Sequence, residues 1–226
     1  MNFVILLAAG ESRRTGKINK VFYKIKGKPL IFYTILAFEK HPKIKKIILV
    51  ARRKDFKKTA FLIKKYRFRK IAVIIEGGKE RQDSSYCGLG AAEVLGAKKG
   101  DLILFHNVSN PLISQKEIFD VIKEGKRYGA ALLGQLLKDT LKKVKKNFVK
   151  KTIPRQNLWL AQTPQVIEYS LAKKAFKKAQ FHATDDVSLV EKIGRKVKMT
   201  PCSYRNFKIT TKEDLDIIKN LINNGK

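Results

Sequence analysis

Short apolar runs alternate with amphipathic segments along most of the chain, and this alternation predicts the fold. Runs rich in Val, Ile, Leu and Phe predict strands at 3–8, 46–51, 71–76, 102–106, 130–135 and 196–201. Segments with a helical period predict helices at 29–39, 54–66, 84–95, 115–128 and 212–223. Strands of nearly continuous apolar residues are buried on both faces. We therefore expect an α/β fold of Rossmann-like type, with a mostly parallel central sheet flanked by helices.

One segment departs from this rhythm. Residues 140–154 show the pattern of two short strands around a Lys-Lys-Asn turn, with too few apolar positions to bury a face. Two interpretations stay open. The lysines of such a ribbon discourage edge-to-edge aggregation, or the ribbon is a projecting arm that packs on a second subunit.

Length and composition set the broad class of protein. The 226 residues fit one domain, 1–226, that can bury its own core. No apolar run approaches the ~20 residues of a membrane span, and no export signal precedes the first strand. With two cysteines, a disulfide framework is not expected. These features indicate a cytoplasmic protein without a membrane partner.

The net charge of +31 attracts polyanions without choosing among them. Nucleotides, phosphorylated metabolites and nucleic acids all fit, and so does a plain lysine-rich surface. A basic nucleic-acid-binding protein is one hypothesis, but no nucleic-acid motif and no aromatic–basic interleaving supports specific binding. Charge alone therefore leaves the partner open.

The segments that follow the strands carry the candidate chemistry, because ligands of doubly wound sheets sit at the carboxyl ends of strands. Cations and glycines dominate there: Gly10, Arg13, Arg14, Lys17 and Lys20 follow the first strand. The sequence contains no Walker A loop, no Gly-x-Gly-x-x-Gly fingerprint, no Ser-His-Asp set and no metal-spaced Cys/His cluster. This composition favours the binding and transfer of phosphate groups.

Several modest motifs occur in a specific order over essentially the whole chain. They are Leu7-Ala-Ala-Gly-x-Ser-Arg-Arg with Asn19-Lys20, Gly77-Gly-x-x-Arg-Gln-x-Ser84 with Gly88-Leu89, Asp139-Thr140, Leu158-Trp-x-x-Gln-Thr-Pro-Gln165, Thr184-Asp-Asp-x-Ser-Leu-Val-Glu191 and Asn206-x-Lys-Ile-Thr-Thr-x-x-Asp-Leu215. Together they resemble the 2-C-methyl-D-erythritol 4-phosphate cytidylyltransferases and, through them, the alditol-phosphate cytidylyltransferases.

The resemblance implies a reaction that joins CTP and a polyol phosphate into a CDP-polyol and releases pyrophosphate. For 2-C-methyl-D-erythritol 4-phosphate, the product serves the non-mevalonate route to isoprenoid precursors. It also implies a homodimer that exchanges an arm at about 139–160, and the cofactor Mg²⁺ or another divalent cation.

The resemblance assigns roles to thirteen residues. The catalytic set is Arg14, Lys20, Arg155 and Lys208, with Arg14 and Lys20 stabilising the transition state and Lys208 and Arg155 positioning the acceptor phosphate. The substrate-binding set is Ala8, Ala9, Gly10, Gly78, Arg81, Ser84, Asn107, Asn110 and Thr140. Within it, Ala8 to Gly10, Gly78 and Ser84 hold the nucleotide and select cytosine. Arg155 and Thr140 would arrive on the partner's arm.

The chemistry of the reaction supports such a set. The nucleophile is a phosphate monoester oxygen that is already anionic near pH 7, so no general base is required. The obstacle is the approach of one anion to the α-phosphate of another. Catalysis must then consist of positioning and charge neutralisation, to which Arg and Lys side chains are suited.

The segment His106-Asn-Val-Ser-Asn-Pro111 departs from the family pattern His-Asp-Ala-Ala-Arg-Pro. Asn107 replaces an aspartate near the metal, so it is a weak metal ligand at best, and Asn110 replaces an arginine near the acceptor. Three outcomes stay open: the usual product with reduced metal affinity, a different acceptor such as ribitol 5-phosphate, or a degenerate member that binds nucleotide without turnover.

Four further features have a structural interpretation from the sequence alone. His106 is expected to be a buried structural histidine and 162–165 a bend. For Asp139-Thr140, a simple turn that opens the ribbon and a functional role stay equally open without the resemblance. Asp185 and Asp186 are expected to cap a helix that begins there.

Overall fold

The computed structural model describes residues 1–10, 19–179 and 183–224. Its strands are β1 (Asn2–Leu7), β2 (Lys24–Ile25), β3 (Lys28–Pro29), β4 (Lys46–Ala51), β5 (Ile71–Glu76), β6 (Leu102–Asn107), β7 (Ala130–Leu136), β8 (Leu141–Lys145), β9 (Phe148–Ile153), β10 (Trp159–Glu168) and β11 (Lys198–Pro201). Its α-helices are α1 (Leu30–Lys40), α2 (Phe56–Tyr66), α3 (Arg81–Val94), α4 (Gln115–Tyr128), α5 (Tyr169–Lys177), α6 (Val187–Lys192) and α7 (Lys212–Asn224). No described helix is long and apolar enough to cross a membrane.

Seven strands form the central sheet in the order β11-β7-β10-β6-β1-β4-β5. β1 pairs in parallel with β4 and β6, β4 with β5, and β11 with β7, whereas β10 runs antiparallel to β6 and β7. The expected mostly parallel sheet is confirmed. The chain adds β4 and β5 on one side of β1 and then returns to β6 on the other side. The carboxyl ends of β1 and β6 therefore form the switch point at which such sheets bind ligands.

Helices cover both faces of the sheet. Successive side chains of β1 point to opposite faces: Val4 and Leu6 pack in the core that contains side chains of α1, α2 and α4. Phe3 and Ile5 pack in the core that contains side chains of α3, α5 and α6. A third, smaller cluster joins α7 to β2, the start of α1 and Ile209. The burial of alternate strand residues on both faces is the physical basis of the apolar runs in the sequence.

β10 is a strand that the hydrophobic pattern does not predict. Its register against β7 shifts between Ala161 and Gln165, and Pro164, which has no N–H to donate, falls inside this irregularity. The bend expected at 162–165 is therefore a bulge-like interruption within a longer strand. Beyond it, Val166 and Ile167 are fully buried between β6 and β7.

The ribbon predicted at 140–154 is confirmed as the hairpin β8–β9. The two strands pair antiparallel, and Lys146 and Asn147 make the turn with φ values of 48° and 64°, as two-residue hairpin loops require. The hairpin forms its own two-stranded sheet. It exposes apolar side chains: Val144 is 52%, Val149 61% and Phe148 74% exposed.

Candidate active site

A cleft of about 340 Å³ opens at the carboxyl ends of β1 and β6. Nine of the residues predicted from the sequence line it: Ala8, Ala9, Gly10, Lys20, Gly78, Arg81, Ser84, Asn107 and Lys208. Leu7 and Asn107 are paired neighbours at the ends of the two strands. The parallel strands thus bring together segments that are about 100 residues apart in the chain.

Close backbone approach shapes one wall of the cleft. A Cβ atom on Gly77 would lie 2.6 Å from Cβ of Ala9 and 2.7 Å from Oγ of Ser84. A Cβ atom on Gly78 would lie 2.2 Å from Cβ of Asp83. The two glycines therefore allow the exit of β5, the exit of β1 and the first turn of α3 to meet. Helix α3 begins at Arg81 rather than at the predicted residue 84, so Arg81 and Ser84 share its first turn and both face the cleft.

Two lysines from opposite ends of the chain meet at the cleft. Asn19 accepts a hydrogen bond from the backbone N–H of Val21 and so begins the short 3₁₀ helix Lys20–Phe22. Nζ of Lys20 donates to the carbonyl oxygen of Ile209 at 3.0 Å. The N–H of Ile209 donates in turn to the carbonyl oxygen of Ser109 at 2.9 Å. These bonds tie the segment that carries Lys208 to the loop after β6.

Arg81 is held from two sides. Its Nη2 lies 2.5 Å from Oδ2 of Asp186 in an ion pair, and its Nε donates to Oδ1 of Asn107 at 3.3 Å. The Asp186 side chain is 1% exposed. Its backbone N–H donates to Oε1 of Gln165, which fixes its position. Asp186 occupies the N-cap position of α6 as expected, but its side chain makes no capping hydrogen bond, because its carboxylate pairs with Arg81.

Asp185 behaves as expected at the start of the same helix. Its Oδ1 accepts from the N–H of Ser188 at 3.1 Å. Its Oδ2 also accepts from Nε2 of Gln165 at 2.9 Å. The two adjacent carboxylates therefore have different roles: Asp185 caps α6, and Asp186 holds Arg81 at the cleft.

A layer of amide side chains lies beneath the cleft. Asn110 is fully buried, and its Nδ2 donates to Oε1 of Gln162 and to the carbonyl oxygen of Asn206. Asn107 donates weakly to Oδ1 of Asn110 at 3.4 Å. Asn110 is absent from the lining of the cleft. The position of Asn110 thus does not support the prediction that it contacts substrate. Its side chain instead links Gln162 of β10 and the backbone of Asn206 to the end of β6.

His106 is buried at the same strand end, as expected. Its Nε2 lies 3.0 Å from the carbonyl oxygen of Asn110, and its Nδ1 lies 3.0 Å from Oγ1 of Thr163. Thr163 also accepts from the N–H of Asn107 at 3.3 Å. This arrangement fits a neutral imidazole with its proton on Nε2, where a carbonyl group can accept it. Burial lowers the pKa of His106 to about 3, so the ring is a structural hydrogen-bonding group near neutral pH.

Comparison with known proteins decides the family. The family model described as 2-C-methyl-D-erythritol 4-phosphate cytidylyltransferase matches residues 2–224. The chain belongs to this family. It is therefore a nucleotidyltransferase, and the resemblance seen in the ordered motifs is confirmed.

Relatives of known name support the same family. The chain is 39% identical over 220 residues to the 2-C-methyl-D-erythritol 4-phosphate cytidylyltransferase of Geobacillus thermodenitrificans, covering 95% of this chain and 94% of that protein. The protein of the same name from Dehalococcoides mccartyi is 38% identical over 223 residues, covering 98% and 96%.

Crystal structures extend the agreement to the fold. The 4-diphosphocytidyl-2C-methyl-D-erythritol synthase of Anaerococcus prevotii superposes with a TM-score of 0.84 at 26% identity and covers 98% of both chains. The 2-C-methyl-D-erythritol 4-phosphate cytidylyltransferase of Francisella tularensis superposes with a TM-score of 0.80 at 32% identity, covering 96% and 97%. The fold assigned from the sequence is thus confirmed.

Besides Asn110, two described residues of this cytidylyltransferase that were assigned to the site, Thr140 and Arg155, do not line the cleft. Arg14 lies outside the described residues. Thr140 precedes β8 and Arg155 follows β9, both exposed on the arm. In contrast, Lys79 and Ser109 line the cleft although no role was predicted for them. Their positions directly after β5 and β6 were the signal that could have identified them.

The described part of the cleft in this family member does not fit a divalent cation held by the protein. Among the described residues, no group of three or more His, Cys, Asp or Glu side chains could hold a metal ion. Glu80 is the one carboxylate among the described lining residues. Oδ1 of Asn107, the predicted weak ligand, faces the guanidinium of Arg81. A hard cation prefers anionic oxygen ligands, and this position offers a neutral oxygen beside a positive charge.

Proposed function

We propose that the cleft between β1 and β6 joins CTP and 2-C-methyl-D-erythritol 4-phosphate into CDP-methylerythritol and pyrophosphate. The observation that carries the proposal is the convergence of Lys20 and Lys208 through Ile209 on a cleft walled by strand-end backbone. Two anions must meet for this reaction, and paired cations from separate segments can hold them together.

The bond changes require no proton transfer. A phosphate oxygen of the acceptor attacks the α-phosphorus of CTP, a new P–O bond forms, and the bond from the α-phosphorus to the α,β-bridging oxygen breaks. The electron pair leaves with pyrophosphate. The nucleophile is anionic near neutral pH, so the cleft does not need a general base. Lys20 serves the triphosphate and Lys208 the acceptor phosphate, each as a movable point charge.

The backbone of Ala8, Ala9 and Gly10 serves the nucleotide at the exit of β1. Gly78 and Ser84 belong to the wall next to these residues and serve the base. The crowding at Gly77 and Gly78 supports this assignment, because a side chain there would displace β1 or α3 from the wall. Mg²⁺ or another divalent cation is expected to accompany CTP, where it would neutralise charge on the phosphate oxygens.

The decisive assay measures pyrophosphate release from CTP and Mg²⁺ with a panel of polyol phosphates. The panel includes 2-C-methyl-D-erythritol 4-phosphate and ribitol 5-phosphate. Turnover with the methylerythritol phosphate well above every other acceptor supports the proposal. Equal or faster turnover with ribitol 5-phosphate would transfer the assignment to another acceptor, and CTP binding without turnover would indicate a degenerate member.

The acceptor site is completed by the arm of a second copy in this proposal. The supporting observation is the exposed apolar surface of the β8–β9 hairpin, at Val144, Phe148 and Val149, on a ribbon that forms no strand pairs with the central sheet. Thr140 and Arg155 flank this hairpin, are exposed, and do not line the cleft of their own chain. A two-fold dimer would carry both residues into the partner's cleft.

Mixed dimers test this arrangement. Lys208→Ala and Arg155→Ala should each be inactive alone. When the two variants are mixed and allowed to exchange subunits, half of the dimers hold one intact site, so about a quarter of wild-type activity should return. A mixture as inactive as its components would show that Arg155 serves its own chain or no site. A sedimentation mass of one chain would exclude the exchanged arm directly.

A further inference from the structure

The guanidinium of Arg81 donates a hydrogen bond to Oδ1 of Asn107, which is the oxygen that a protein-bound divalent cation would need. We propose that Arg81, fixed between Asp186 and Asn107, excludes a divalent cation from the protein side of the cleft, so that the ion enters only together with CTP. The inference rests on the proposed function, because it concerns how the same cleft receives its charge-neutralising ion.

The first observation is that Arg81 is anchored. Its ion-pair partner, Asp186, is 1% exposed and lies in a backbone position set by Gln165. Gln165 is itself buried and accepts from the N–H groups of both Asp186 and Val187. Removing the guanidinium would leave an uncompensated buried carboxylate, which is costly. Arg81 is therefore held in the cleft rather than free to swing away from an arriving cation.

The second observation is the distance between Arg81 and the predicted ligand. Nε of Arg81 lies 3.3 Å from Oδ1 of Asn107. A Mg²⁺ ion bound to that oxygen at the usual ~2.1 Å would lie within about 5.5 Å of Nε. The ion would then face a fixed positive charge and a neutral amide ligand at once. Both features weaken metal binding, and neither can relax while Asp186 holds the guanidinium.

The third observation is the charge of the remaining lining. Lys20, Lys79 and Lys208 line the same cleft, against the single carboxylate of Glu80 among the described lining residues. Glu80 is exposed, and the neighbouring Asp83 accepts from the N–H of Glu80 at the start of α3. A bare divalent ion thus meets a positive surface, whereas the anionic complex of the ion with CTP is attracted by it.

Direct metal binding without nucleotide tests the inference. Mn²⁺, a spectroscopic substitute for Mg²⁺, is titrated into the full chain in the absence of CTP, and free Mn²⁺ is followed by electron paramagnetic resonance. The wild type should bind Mn²⁺ no more tightly than about 1 mM. Arg81→Gln should bind at least about tenfold more tightly, because Oδ1 of Asn107 and the carboxylate of Asp186 become available as ligands. Arg127→Gln, an exposed arginine at the end of α4, is the matched control and should match the wild type.

A second variant covers the case in which Arg81→Gln fails to fold, as judged by circular dichroism. Asn107→Asp places a carboxylate at the same oxygen and partly compensates the guanidinium, so it should also tighten Mn²⁺ binding. Asn220→Asp adds the same charge on the exposed surface of α7 and should have no effect. Tight Mn²⁺ binding by the nucleotide-free wild type would overturn the inference. So would unchanged binding in a folded Arg81→Gln or, failing that, in Asn107→Asp.

The metal titration and the turnover assay can fail independently of each other. Pyrophosphate release with 2-C-methyl-D-erythritol 4-phosphate reports whether the cleft is a cytidylyltransferase site, and Mn²⁺ binding without nucleotide reports how it receives its ion. Turnover together with tight nucleotide-free Mn²⁺ binding refutes the inference alone. If the wild type has no turnover, the proposed function fails while the metal titration still measures the exclusion by Arg81.

Discussion

Protonation of His106 should destabilise the fold in mildly acidic solution. The imidazole is fully buried at the end of β6, and burial lowers its pKa from 6.5 to about 3. Nδ1 lies against the hydroxyl of Thr163, which can donate to it only while the ring is neutral. Since the unfolded chain binds the proton near pH 6.5 and the folded chain does not, stability is fully present above that pH and is lost as the pH falls toward 3.

The magnitude follows from the separation of the two pKa values. Each pH unit within the window costs about 1.4 kcal/mol, so lowering the pH from about 7 to about 5 should remove roughly 2 kcal/mol of unfolding free energy. The range from pH 7 to pH 5 lies above the pH at which carboxylates with lowered pKa values, such as Asp101 and Asp214, begin to reduce the unfolding free energy. Burial and nearby lysines also lower the pKa of His41, which adds in the same direction. A comparison of variants is therefore needed.

Urea unfolding at several pH values separates the two histidines. His106→Gln should have a lower unfolding free energy at pH 7 but a flatter pH dependence, so its difference from wild type should shrink by roughly 2 kcal/mol by about pH 5. His41→Gln is the matched control and should keep most of the wild-type slope. Parallel pH profiles for wild type and His106→Gln would refute the reasoning, because they would show that His106 titrates alike in the folded and unfolded chains.

Three further substitutions test other parts of the structure. Lys208→Ala should lower kcat by ~10²–10³ in the pyrophosphate-release assay, while Lys219→Ala, on an exposed position of α7, should not; equal losses would remove Lys208 from the site. Gly88→Ala should lower the free energy of unfolding in urea by about 1–3 kcal/mol, because its Cβ would lie 2.4 Å from the side chain of Ile5 in β1. Gly90→Ala, which has open space on the same helix, is the control and should be neutral or stabilising. Asp214→Ala should cost about 1 kcal/mol in thermal unfolding by removing three hydrogen bonds before and at the start of α7; an unchanged melting temperature would show that this cap contributes little.

Strongly patterned elements could be predicted from the sequence. The bounds of β4, β5 and α4 agree with the apolar runs and periods that predicted them. Helix α4 has clear ends, because Ser114 and Glu117 form a capping box and Gly129 follows with a φ of 81°. In contrast, β10 contains Pro164 and several polar residues and shows no decisive period. Helix α5 was not predicted either, although its buried residues fall at helical spacing, because it spans only nine residues.

The site was predictable where it depends on strand ends and not where it depends on long-range contacts. Strand order brings the residues after β1, β5 and β6 together, and a general rule of parallel sheets anticipates this. The ion pair of Arg81 with Asp186 joins residues 105 positions apart, and no local pattern indicates it. The same holds for Asn110, whose burial depends on Gln162 and Asn206 from distant segments.

The bond from Lys20 to Ile209 spans 189 residues, and it has a consequence for synthesis on the ribosome. Lys20 follows the first strand and leaves the exit tunnel early, whereas Lys208 follows β11, the last strand among the described residues. A nascent chain can therefore form most of its sheet before the proposed substrate cleft receives its second lysine. Premature termination shortly before Lys208 should accordingly yield a protein with much of its core and no transferase activity.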